Sequence, residues 1–370
     1  MNSAVGYQKH STEGPERQDR SPFHVLCLSG GGVRGIHSAR ILEIMEQRLG
    51  TPVARHFDLL CGTSIGGILA LGLALQLPAS VLLKHLTEKR QEIFALPLSR
   101  RLSSWLRAKH AVQPLRDALV EIFGDATLGD LTRAVVIPAV DASAGSAVMF
   151  KTPHHPSLKI DYKRRLVDVA LATAAAPTYF PISRAPDARL YVDGGLVANH
   201  PGLCGLHEAE VFFRQQTANV HILSIGTASV GRNVRSRGGT AWKVLGSMPG
   251  LRNSMAAAAL DLGVLRWGPL LFDLTISAQE AFVHNLLTHR CRDRYTMLDS
   301  QIDTERSRDI ERLNATSQAA VETLLAAAAK TGQEFVGDPK FDEIAAHEPG
   351  PVKFFYGTHS GSPEVTHEHI

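Results

Sequence analysis

Apolar residues fall along this chain in short unbroken runs, and two of the first runs are followed by glycine and then by a longer stretch with helical character. Phe23-His24-Val25-Leu26-Cys27-Leu28 leads into Gly30-Gly31-Gly32 and on to residues 36–49, and Phe57-Asp58-Leu59-Leu60-Cys61 leads into Gly62 and on to residues 68–77. Unbroken apolar runs of this length suit parallel strands buried on both faces, and the Ala- and Leu-rich segments after them favour helix. Residues 134–140, Leu190-Tyr191-Val192 and residues 220–225 read as further buried strands. Helical patterns return through 251–290 and 304–330. Between them residues 229–239, with Arg232, Arg235 and Arg237 among glycines, predict an exposed basic loop.

The two glycine-rich junctions carry the candidate chemistry. Gly62-Thr63-Ser64-Ile65-Gly66 is a Gly-x-Ser-x-Gly turn between a strand and a helix. That setting pushes a serine hydroxyl out of the fold and places it at a helix N-terminus, where unpaired N–H groups favour a developing negative charge. The second junction, Gly30-Gly31-Gly32-Val33-Arg34-Gly35, can turn backbone N–H groups toward negative charge. It also fits Gly-x-Gly-x-x-Gly literally, so a nucleotide-binding module built on this loop is an alternative. That reading expects an acid at the end of the next strand, whereas Asp58 stands near its start. An oxyanion hole explains both glycine clusters together.

A third element is Asp193-Gly194-Gly195, after Leu190-Tyr191-Val192. A carboxylate at a strand end, with glycines clearing space beside it, can reach a nucleophile presented by another turn. A tight turn capped by aspartate is the plain alternative. His200 and His207 follow closely and would complete a Ser, Asp, His order of triad.

Taken in order, Gly-Gly-Gly-Val-Arg-Gly (30–35), Gly-Thr-Ser-Ile-Gly-Gly (62–67), Ala-Ala-Ala-Pro-Thr-Tyr-Phe-Pro (174–181) and Asp-Gly-Gly (193–195) resemble the patatin-like phospholipases over about half the chain. The resemblance implies a three-layer α/β/α fold with a mostly parallel central sheet and additional C-terminal helices. It implies a Ser–Asp dyad without a catalytic histidine, Ser64 as nucleophile and Asp193 as base. Gly30, Gly31, Gly32, Val33, Arg34 and Gly35 supply the oxyanion hole, with Gly62, Thr63, Ile65 and Gly66 forming the nucleophile elbow. Ser29 stands where many relatives carry aspartate, a departure that leaves the glycine backbone and Arg34 intact. Glu92-Ile93-Phe94, Ser277-Ala278-Gln279 and Arg294-Tyr295 leading to Asp299 further resemble the bacterial branch switched on by cyclic nucleotides in antiphage defence. That likeness implies a cyclic GMP-AMP-type dinucleotide as activator and phospholipid as substrate; a constitutive lipid acyl hydrolase is the rival within the family. The domain organisation that follows is a disordered arm at 1–21, a catalytic core at 22–210, a C-terminal part at 211–346 that completes the fold, and a flexible tail at 347–370.

Composition is compatible with this reading without producing it. The 370 residues, 44% hydrophobic and 20% charged, suit one large globular domain. A formal charge of +3 permits attraction to anionic lipid, and with no long basic block nucleic acid is not an expected partner. Cys27, Cys61, Cys204 and Cys291 are scattered, which fits a reducing, cytoplasmic setting. The polar start carries no apolar signal-peptide core, and no stretch approaches the roughly 20 apolar residues of a span, so membrane contact is expected to be peripheral. After Pro97, Leu98, Leu102, Trp105 and Leu106 share one helical face flanked by Arg100, Arg101, Arg107 and Lys109. Leu102, Trp105 and Leu106 are therefore candidate membrane contacts, with core cover the ordinary alternative. No metal or other cofactor is expected: His154, His155, His367 and His369 lack zinc-site spacing and read as surface histidines. The chain also admits a homo-oligomer.

Overall fold

The computed structural model describes residues 21–95, 108–228, 264–302, 310 and 314–361. Its first half alternates strand and helix. β1 (Phe23–Leu28) is followed by α1 (Gly35–Leu49), β2 (Leu59–Gly62) by α2 (Ile65–Ala74), α3 (Ala79–Ile93) and α4 (Gln113–Phe123). β3 (Ala134–Asp141) and β4 (Ser146–Lys151) form a hairpin, then come α5 (Leu166–Thr173), β5 (Ser183–Arg184), β6 (Leu190–Asp193), a single turn α6 (Gly195–Ala198) and α7 (Gly202–Val211). β7 (Val220–Ile225), α8 (Val264–Cys291), β8 (Tyr295–Leu298), α9 (Gln318–Phe335) and α10 (Pro339–Ala345) complete the described elements.

One sheet runs in the order β5-β6-β3-β2-β1-β7-β8, with β4 on β3. The β3-β2-β1-β7-β8 section is parallel, and β4, β5 and β6 add antiparallel pairings at the β3 side. β1 is buried on both faces, which accounts for its unbroken apolar run. Leu26 and Leu28 face a core shared with α1, α2, α4 and α5, while Val25 and Cys27 face one shared with Leu206 and Ala209 of α7 and Val283 and Leu287 of α8. Helices on both faces of a mostly parallel sheet make the three-layer arrangement that the sequence implied.

A consequence of this topology positions the chemistry. Val136 of β3 pairs with Cys61 of β2 and with Lys151 of β4, so those two strands lie on opposite edges of β3. β4 continues along its edge to Asp141, which leaves β6, paired at residues 139–141, on the same edge as β2. β2 and β6 therefore approach each other end to end, and their C-terminal ends meet.

Several expectations change. The helix expected at 68–77 begins at Ile65, directly after Ser64, and those expected at 251–290 and 304–330 are described at Val264–Cys291 and Gln318–Phe335. The tail expected from residue 347 is tied down over 347–361: His347 donates to Asp58 at 2.8 Å, Phe355 N–H donates to Pro153 O at 2.8 Å, and Phe354 is buried. His154 is no surface histidine. It is buried against Glu208, at 2.8 Å, and burial holds its imidazole below the usual range despite that carboxylate. The candidate membrane contacts Leu102, Trp105 and Leu106, the arginines of the basic loop, residues 1–20 and residues 362–370 lie outside the described residues.

Candidate active site

Ser64 occupies a turn that few side chains tolerate. Its φ of 55° and ψ of −124° are strained for a residue with a Cβ, a cost of about 1–3 kcal/mol that surrounding contacts must offset. The chain folds back here because two glycines let backbone meet backbone. A Cβ on Gly62 would lie 2.2 Å from Gly66 O, and one on Gly66 would lie 2.2 Å from Leu28 O. Hydrogen bonds then lock the turn: Thr63 Oγ1 donates to Ala198 O at 2.5 Å, and Ser64 N–H donates to Thr173 Oγ1 at 2.9 Å. Thr173 Oγ1 in turn donates a hydrogen bond to Pro138 O at 2.6 Å, so its orientation is fixed.

Asp193 arrives from β6 on the shared edge of β3. Ser64 Oγ donates to Asp193 Oδ2 at 2.7 Å, and Gly195 N–H donates to Oδ1 at 2.6 Å. The strand end is anchored by Asp193 N–H to Ala175 O and Gly194 N–H to Thr173 O, both at 3.1 Å, so the 174–181 segment frames Asp193. Asp193 is 3% exposed. Burial pushes its carboxyl up to about 6, against the bonds from Gly195 and Ser64, which pull it down.

The glycine loop faces the same space. Gly32–Arg34 form one tight turn, in which Arg34 N–H donates to Gly31 O and Gly35 N–H to Gly32 O and Val33 O. Gly30 N–H donates to Asn199 O at 3.0 Å. The N–H groups of Gly30, Arg34 and Gly35 are thus committed inside the fold, which narrows the six-residue oxyanion set expected from sequence. Among the described residues no acceptor engages those of Gly31, Gly32 and Val33. Arg34 is buried, and its guanidinium donates to Gly31 O at 3.4 Å and Ala228 O at 3.3 Å, bracing the loop. In front lies a cleft of about 1020 Å³, open solvent at its mouth included; Ser64, Asp193 and residues 30–34 line it with Ile68, Leu86, Phe94 and Leu119.

Comparison with known proteins bears on this geometry. A sequence profile described as patatin-like phospholipase matches residues 26–202. A protein of Pseudomonas aeruginosa named cGAMP-activated phospholipase is 43% identical over 347 residues, which span 93% of this chain and 98% of that one. The chain belongs to the patatin-like phospholipases. Proteins of the same name from Escherichia coli and Vibrio cholerae are 36% and 34% identical over 328 residues, covering 81% of this chain and 86% and 88% of theirs.

In this patatin-like phospholipase the two candidate triad histidines point elsewhere. His200 is buried; its Nδ1 accepts from Gly202 N–H at 3.1 Å, and its Nε2 lies 3.1 Å from the Tyr295 hydroxyl. Burial, reinforced by His284, pushes its imidazole down to about 4. His207 is exposed on α7. The dinucleotide reading of the loop still lacks the acid it needs at the end of β2, which closes on Cys61 and Gly62, and the Asp193 carboxylate stands in the space before the loop, which His85 and Arg90 also line. Sequence reasoning missed Thr173, which sits one residue before the 174–181 block, and Asn199 and Thr227, whose contacts join distant segments. No local spacing marks any of them.

Proposed function

We propose that this chain hydrolyses phospholipid acyl esters through a Ser64–Asp193 dyad and does so under control of a cyclic dinucleotide of the cGAMP type. The 2.7 Å bond from Ser64 Oγ to Asp193 Oδ2 carries the reading. Asp193 takes the Ser64 proton as Oγ bonds to the ester carbonyl carbon, and the carbonyl oxygen becomes an oxyanion facing the N–H groups of Gly31, Gly32 and Val33. Collapse breaks the ester C–O bond, the leaving alcohol takes the proton from Asp193, and an acyl-Ser64 ester remains. Water then adds to that ester while giving its proton to Asp193, and the proton returns to Ser64 Oγ as the fatty acid leaves. A carboxyl raised to about 6 is a stronger base than an ordinary aspartate yet still ionised at neutral pH.

The apolar lining of the cleft suits an acyl chain. No helix of the described residues is long and apolar enough to cross a membrane. Activation by a cyclic dinucleotide is supported by the names of the three relatives matched over most of this chain; a role in antiphage defence rests on the sequence resemblance alone. Ser64→Ala and Asp193→Asn are each expected to abolish release of fatty acid from phospholipid vesicles with folding unchanged, whereas His200→Ala retains turnover. A panel of cyclic di- and trinucleotides added to the purified chain should show strong stimulation by a cGAMP-type ligand. Full activity without nucleotide, together with no binding across the panel, would leave the constitutive hydrolase.

A further inference from the structure

Three successive glycines cannot hold their own position: they have no side chains to pack and the most conformational freedom to lose. Whatever aims the N–H groups of Gly31, Gly32 and Val33 must therefore act from outside the loop. On one flank Thr227 Oγ1 donates to Gly30 O at 3.1 Å, and Ala228 O receives Arg34. On the other flank stands Asn199, which grips Gly30 twice. Gly30 N–H donates to Asn199 O at 3.0 Å, and Asn199 Nδ2 donates to Gly30 O at 3.3 Å. A Cβ on Gly30 would fall 2.3 Å from Asn199 Oδ1 and 3.2 Å from Ser64 Cβ, so this grip sits directly against the nucleophile.

Asn199 is in turn fixed from α8, some 80 residues further along the chain. Gln279 Oε1 accepts Asn199 N–H at 2.5 Å, Glu280 Oε1 accepts Asn199 Nδ2 at 2.5 Å, and Gln279 Nε2 donates to Leu196 O at 3.3 Å at the start of the same turn. Asn199 is 4% exposed, so water is poorly placed to replace these partners.

We infer that Gln279 is a positioning residue for the oxyanion loop, acting on Gly30 through Asn199. It touches neither the substrate cleft's reacting atoms nor the dyad; it sets where the turn after α6 lies, and that turn sets the glycine backbone. The inference rests on the proposed dyad and oxyanion loop. A misplacement of the donors weakens bonding that develops in the transition state and leaves ground-state binding alone.

The test uses the purified full chain, a soluble short-chain ester, and a trifluoromethyl ketone that adds to Ser64 to place an oxyanion in the hole. Gln279→Met keeps the side-chain volume and removes both hydrogen bonds. It is expected to lower kcat by about 10- to 100-fold with KM unchanged, to weaken the ketone by a similar factor, and to leave the inflection near pH 6 in place. A merely structural role would lower the melting temperature or the fraction of titratable Ser64, with kcat per active site and ketone affinity intact. That result would overturn the inference, as would wild-type kcat. If Gln279→Met fails to fold, Gln279→Asn, one methylene too short to reach Asn199 N–H, carries the same expectations. Ser64→Ala run alongside separates the two levels: its inactivity with a normal Gln279 variant refutes positioning alone, and its retained activity refutes the dyad as well.

Discussion

Asp193 is ionised at a cost to the fold. Burial raises its carboxyl to about 6 in the folded chain, against roughly 3.9 in an unfolded one. The folded state therefore holds the proton more tightly, and stability is lost as pH rises from about 4 through about 6. At neutral pH the difference amounts to about 3 kcal/mol. Asp193→Asn removes that cost while keeping the shape, so its melting temperature should exceed that of the parent at pH 7.5 and converge with it near pH 4. Calorimetry across that range checks the sign, and a gap that widened toward acid would refute the assignment. Catalysis runs the opposite way: kcat/KM on a soluble ester should rise with pH through about 6 and level off as Asp193 ionises. A residue made less stable by the charge it needs for chemistry is a common pattern at active sites.

At the scale of elements, the junctions were legible and their supports were not. Apolar runs announced β1, β7 and most of β3, because strands buried on both faces leave no alternation to decode. Gly62, Ser64 and Gly66 announced the turn, since close backbone approach admits only glycine on either side. β8 went unread: Tyr295–Leu298 is four residues long, and its strand state comes from pairing with β7. The contacts that Thr173, Asn199 and Gln279 make to the site went unread for a like reason, because their partners lie 109, 169 and 80 residues away. Two outcomes follow for the elements. Gly66→Ala drives a Cβ into the carbonyl of Leu28, a clash that only separation of α2 from β1 can relieve, and it should cost both fold and activity as read by circular dichroism and ester turnover. Ala118→Met on α4 should narrow the apolar cleft and reduce cleavage of long-chain phospholipid more than that of a short soluble ester.

For the whole molecule, the boundary drawn at residue 210 separates chemistry from architecture poorly. Ser64, Asp193 and the glycine loop precede it, yet β1 pairs along its full length with β7, and β7 with β8. A chain ended at residue 215 would expose the edge of the central strand together with the face that α8 covers through Val283 and Leu287. It should be recovered insoluble, with no burst of product on a soluble ester; a monomeric, active fragment would contradict this account.

The end-to-end approach of β2 and β6 along one edge of β3 gives the chain a built-in vernier. Each strand is graduated in steps of about 3.3 Å, and Ser64 and Asp193, the proposed nucleophile and base, stand at the zero marks of two opposed scales. A slip of one graduation on either scale would open the 2.7 Å contact beyond hydrogen-bonding reach and turn the side chain to the other face of the sheet. With Ser64 and Asp193 as the proposed dyad, strand alignment is a precondition of turnover: a molecule that hydrolyses an ester has both scales in register.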